Sequence, residues 1–173
     1  MIPPRVNGCL RQQHLLPWLH PDAKPRLNVE RAKERVEYLL RQLEEQNERI
    51  ILPAPAFAEF LILAAIDAPR YVAMIRENSA FRIEPFDERA AIELADMELA
   101  AKTLGNKRGL AVSSEWQKVK FDRQIVAIAK VHGVSRLYSD DSDVKLHGES
   151  HGLEVLAVAD LPLPPAVQEE LFP

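Results

Sequence analysis

The sequence predicts an α/β fold built on a central, mostly parallel sheet. Short apolar runs, "RIILP" at 49–53, "SRLYS" at 135–139 and "LEVLAV" at 153–158, have the length of buried strands. Longer segments with apolar residues at helical spacing lie between them. Strand-length runs that alternate with helix-length patterns require crossovers, and crossovers produce parallel pairing. The 173 residues suffice for one domain over 1–173 with a sizeable core. No internal repeat or linker divides the chain.

Residues 1–20 are the atypical part. Pro3, Pro4, Pro17, Pro21 and Pro25 interrupt any long helix or central strand in the first 27 residues. "MIPPRVNGCL" in particular makes a poor central strand. From there the pattern is regular. Asn28 is placed to cap a helix from Val29 to about Gln46, with Ala32, Val36, Leu39, Leu40 and Leu43 on one face. After the strand at 49–53, Pro55 suits the first turn of a helix reaching about Ala65. A third helix is expected over Pro69–Arg76, and "FRIEPF" at 81–86 reads as a strand. A long helix from about Asp87 to Leu104 is stopped by Gly105. A polar loop over 105–121 then holds Lys107, Arg108, Lys118 and Lys120. Asp122 opens the next helix and Gly133 ends it. After "SRLYS" come an acidic turn, a short helix to about His147, the strand at 153–158 and an extended tail over 165–173.

Composition narrows the function. Apolar residues make up 47% and charged residues 28%, and the net charge is -4. A nucleic-acid partner must therefore be met by a local basic patch. Cys9 is the only cysteine, which excludes an internal disulfide and a cysteine-rich zinc site. His14, His20, His132, His147 and His151 lack a zinc spacing. No Gly-rich phosphate loop is present. No apolar stretch reaches the roughly 18 residues of a membrane span, and none follows Arg5 and Arg11 as a signal peptide requires. A cytoplasmic protein without a membrane partner is expected.

The acids carry the chemistry. Glu59 sits in "PAFAEFLILAA", on a helix with little polar face, so its carboxylate must be neutral, paired or bound to a cation. It follows a strand at the expected carboxyl edge of the sheet, where ligands bind. Asp122, taken alone, reads as a helix cap. Asp140, Asp141 and Asp143 crowd four positions after "RLY", more acids than a turn requires. Mutual repulsion would be offset by a hard divalent cation, which takes carboxylate oxygens together with waters and substrate phosphates. The basic loop before Asp122 offers anchors for a phosphate backbone near such an ion.

In order of features the chain resembles the PIN domain, the nuclease fold of VapC-type toxins, from about Pro21 to Pro164. "ILPAPAFAEFL" resembles the family's strand, helix and buried acid. "FRIEPFDERAAIELA" is similar to its second strand and long helix. "KVKFDRQIVAIAKVHGVSRLYSDDSDV" resembles its third acid, helix, strand and acidic turn. "GLEVLAVADLPLP" is similar to its closing strand. The resemblance implies a three-layer α/β/α fold and an Mg²⁺- or Mn²⁺-dependent ribonuclease. Glu59, Asp122 and Asp141 would be its catalytic and metal-binding acids, with Asp143 as an accessory metal ligand. Lys118, Lys120 and Ser139 would meet an RNA substrate. It further implies a toxin–antitoxin role, a protein antitoxin and a homodimer. The chain departs from the family at the first strand, expected to be atypical or missing. Family members end that strand in an Asp, whereas Arg11 and Gln12 stand near the corresponding place here. A shifted reading frame, or a catalytically inactive PIN-fold interaction protein, would each account for that.

Overall fold

The computed structural model of the protein describes residues 5–10, 29–103 and 116–165. Its centre is a parallel sheet in the order β3-β2-β1-β4-β5. The strands are β1 (Arg5–Leu10), β2 (Glu48–Pro53), β3 (Phe81–Glu84), β4 (Arg136–Tyr138) and β5 (Glu154–Leu156). The helices are α1 (Ala32–Glu45), α2 (Ala54–Ala64), α3 (Ala68–Glu77), α4 (Glu88–Thr103), α5 (Trp116–Val131) and α6 (Ser142–Ser150). Among the described residues no helix is long and apolar enough to cross a membrane.

Strand alternation explains the layers. Ile50 and Leu52 of β2 point to one face and Ile51 to the other, and all three are fully buried. In β4, Leu137 and Tyr138 divide in the same way. A strand apolar on both sides needs helices on both sides. On the first face, Val36, Leu40 and Leu43 of α1 pack with Phe60 of α2 and with Tyr71 and Ile75 of α3. On the second, α5 is the central element. Its consecutive Ile125, Val126, Ala127, Ile128 and Ala129 are all buried, beside Ala90 and Met97 of α4 and Val144 of α6. The predicted α/β/α layering and parallel pairing both hold.

The N-terminal strand is the main departure from the sequence reading. "RVNGCL", a poor central strand by pattern, is the middle strand, paired with β2 on one side and β4 on the other. It is atypical rather than missing. Its register with β2 shifts between Val6 and Gly8. A Cβ at Gly8 would run into the ring of Tyr138, so glycine lets β1 lie against β4. Cys9 is fully buried in the second core cluster. Arg11 and Gln12, at the expected place of the missing acid, lie outside the described residues.

Helix starts also moved. α1 begins at Ala32 after Arg31 in a left-handed conformation (φ 55°), three residues later than the pattern suggested. Asn28, the expected cap, lies outside the described residues. α4 is capped by Asp87, whose Oδ1 accepts from Ala90 N at 2.9 Å. α5 begins at Trp116, six residues before Asp122, so the expected 105–121 loop is helical from 116 onward. α6 runs on to Ser150 rather than stopping near His147.

Candidate metal centre

The sheet order places a crevice at the carboxyl ends of β1 and β4, where neighbouring strands lead into connections on opposite sides. The segment after β4 enters it. Tyr138 ends the strand, and Ser139, 1% exposed, leaves it. Ser139 Oγ accepts from Asp141 N at 3.1 Å. Asp141 then caps α6, its Oδ1 accepting from Asp143 N at 2.9 Å and from Val144 N at 3.3 Å. Asp143 follows in the first turn of that helix.

The crowded acids have separate tasks. Asp140 Oδ1 accepts from Val158 N at 2.9 Å, which ties the turn to the segment after β5. Asp141 and Asp143 instead meet Asp122. One carboxylate oxygen from each of the three lies within 4.8 Å of the others, close enough to share an ion. Asp122 is buried, at 2% exposure, in the second turn of α5. It is therefore not the cap that its sequence context suggested.

Lys118 completes the cluster. It stands one helical turn before Asp122, on the same face of α5. Its Nζ reaches Asp141 Oδ2 at 2.9 Å and Asp143 Oδ2 at 3.1 Å. Partial burial works against the ammonium's charge. Hydrogen bonds to Asp141 and Asp143, and the negative charges of Asp141 and Asp122, outweigh it and hold Lys118 above its ordinary pKa. Lys120 is exposed and two positions on, so it leaves α5 about 200° away from Lys118. The two lysines thus belong to different surfaces.

Glu59 stays outside the three-carboxylate group. It lies in the second turn of α2, a helix that packs on α5. Its Oε2 is buried and has no hydrogen-bond partner among the described residues. Such an oxygen is costly unless a cation satisfies it. Three convergent carboxylates and a fourth with an orphaned oxygen are the donor chemistry of a hard divalent ion, so these residues fit one.

Two features escaped the sequence reading. Arg123, 1% exposed, is paired with Glu98 of α4 immediately beside Asp122. The counter-ion role of Lys118 was the other. Its signal was the Lys118–Asp122 spacing of four, which has meaning only once the helix starts at Trp116.

α6 also holds a half-buried imidazole, His147, whose Nε2 is buried. Burial first, then the charges of His151, Arg123 and Lys130, push His147 down from 6.5 to about 3. Folded protein keeps His147 neutral where the unfolded chain protonates it. Stability from this group is complete above pH 6.5 and falls as pH drops from 6.5 toward 3. In urea melts at pH 7.5 and 5.0, the wild type is expected to lose about 1–2 kcal/mol more than His147→Gln. Equal losses would show that His147 is protonated without penalty in the fold.

The comparisons agree with this fold. The PIN domain family model matches residues 22–149. Among solved structures, the chain is similar to DNA-bound VapBC from Salmonella typhimurium, with a TM-score of 0.56 at 12% identity. It is also similar to VapBC2 from Rickettsia felis bound to a promoter DNA fragment (0.58, 11%), and to VapBC-1 from nontypeable Haemophilus influenzae (0.54, 10%). Each match covers 88% of this chain and 98% of the other. At such identities the likeness is one of fold. No curated protein matched the chain. With the family match spanning α1 through almost all of α6, and the parallel sheet arranged as described, the chain belongs to the PIN domain family.

Proposed function

We propose that the protein is a metal-dependent endoribonuclease of the VapC-like toxin type, impaired by the loss of the first-strand Asp, with the whole chain 1–173 acting as one PIN domain. The observation that carries this reading is the convergence of Asp122, Asp141 and Asp143 at the carboxyl edge of the sheet. Mg²⁺ or Mn²⁺ would be held by these acids, with Glu59 offering its buried Oε2 from α2. When bound, the ion supplies a polarised water and offsets charge on a phosphate. Ser139 serves the substrate through Asp141, whose backbone it holds. Lys120, exposed on the side of α5 away from Lys118, would meet the RNA backbone at a distance from the ion.

A protein antitoxin is the proposed partner, because the similar structures are VapBC complexes. Ile62, Leu63 and Ile66, exposed on and just after α2, offer apolar surface for it or for a second copy of this chain. The expected setting is the cytoplasm. A second reading, a catalytically inactive PIN-fold interaction protein, is favoured by the family match starting at Asp22, beyond the whole of β1.

Thermal melts with Mn²⁺ test the metal centre. At about 100 times its dissociation constant, the ion should stabilise the wild type by about 2.7 kcal/mol. Asp141→Asn should show little of that gain while keeping its metal-free stability, because asparagine still caps α6. Equal gains in both proteins would reduce the effect to nonspecific ion binding. No gain in either would favour the inactive reading.

A further inference from the structure

Both oxygens of Asp141 are already engaged. Oδ1 accepts from two backbone N–H groups of α6, and Oδ2 accepts from the Lys118 ammonium. The same ammonium holds Asp143 Oδ2. A divalent cation that uses Asp141 without uncapping α6 must take Oδ2, the oxygen on which Lys118 rests. The two sides of the contact differ in freedom. The Lys118 side chain is 42% exposed, whereas those of Asp141 and Asp143 are 11% and 15% exposed. A lysine stem rotates readily toward water, while Asp141 is fixed by its cap.

We propose that Lys118 is a built-in counter-ion that competes with the divalent cation for Asp141 and Asp143. Cation loading expels its ammonium toward solvent, where it meets a phosphate of the substrate. The inference rests on the metal-centre reading above and adds a control to it. In the metal-free protein the ammonium offsets repulsion among three close carboxylates, so the fold does not depend on metal. Its displacement makes loading weaker than three acids alone would allow. One charged group then has two positions, on the acids at rest and on the substrate when the acids are occupied.

Calorimetric titration with MnCl₂ tests this on the full chain, comparing wild type, Lys118→Met, Lys118→Arg and Asp141→Asn. Lys118→Met removes the charge and nearly preserves the shape, and should bind Mn²⁺ about tenfold tighter than wild type. Lys118→Arg, still charged, should stay within a few-fold of wild type, and Asp141→Asn should lose most of the binding. Equal affinity in wild type and Lys118→Met, with Asp141→Asn still defective, overturns the competition and leaves the metal centre standing. Absence of binding in every variant, Lys118→Met included, overturns the metal centre and the competition together. A second readout uses wild type alone, in case the uncompensated acids unfold Lys118→Met. The Lys118 Nζ resonance should move toward that of a solvated lysine as Mg²⁺ fills the site. A resonance that stays in place while the site fills likewise overturns the proposal.

Discussion

Replacing Arg11, Gln12 and Gln13 with aspartate, alanine and serine is expected to raise Mn²⁺-dependent cleavage of single-stranded RNA about a hundredfold. The reason lies in the register of the central strands. Leu10, the end of β1, pairs with Tyr138, the end of β4. Three residues beyond Tyr138 comes Asp141, and one beyond Leu10 comes Arg11. A PIN-type site takes an acid from this part of the first strand, and this sequence offers a cation there. One ligand fewer weakens ion placement, and small misplacements of a reacting group are expensive in rate. The native chain should therefore cleave slowly or not at all. A labelled RNA incubated with native chain, the triple variant, and the triple variant carrying Asp122→Asn decides the matter. Activity should appear only in the second. Vigorous cleavage by the native chain would mean that another residue, Asp22 for example, supplies the ligand.

The largest expected loss of stability comes from Phe60→Ala. Phe60 is fully buried in the first core cluster. Its ring lies 5.5 Å from that of Tyr71 and 6.3 Å from that of Phe57. It follows Glu59 and fixes the face that α2 presents to the sheet. Truncation removes the transfer energy of the ring and leaves a cavity, for a cost of about 3–5 kcal/mol. That is a large share of the roughly 5–15 kcal/mol by which domains are stable. Urea denaturation should show a lower midpoint with an unchanged slope. A cost below about 1 kcal/mol would show that α2 does not depend on this contact to hold its place.

Much of this fold was legible from local pattern. β2 announced itself because three consecutive apolar residues serve two faces, and α5 because Ile125, Ile128 and Ala129 fall at helical spacing between Asp122 and Gly133. Asp141 and Asp143 were legible as a pair because their number exceeded what a turn needs. Asp140 looked identical in sequence, and only its bond to Val158 N, across β5, assigns it a different task. β1 was obscure for a physical reason. Its place depends on pairing with strands distant in sequence and on the close approach of Gly8 to Tyr138, neither of which leaves a local signature. The start of α5 was misjudged because a lysine-rich segment was read as loop, although Lys and Gln are good helix formers. Crediting Asp122 with a cap then concealed its neighbour Lys118.

β1 also sets the order in which the sheet can be completed. β2 and β3 form one neighbouring pair, β4 and β5 another, and β1 alone joins them. Gly8 pairs with Arg136 and Leu10 with Tyr138, contacts between residues 128 positions apart in a chain of 173. Contacts so distant in sequence are slow to form. As the ribosome releases the chain, the first strand made must wait for almost the last before the sheet is joined. During that wait the edge of β1 that β4 will cover stands open, the situation in which strands pair with the wrong neighbour.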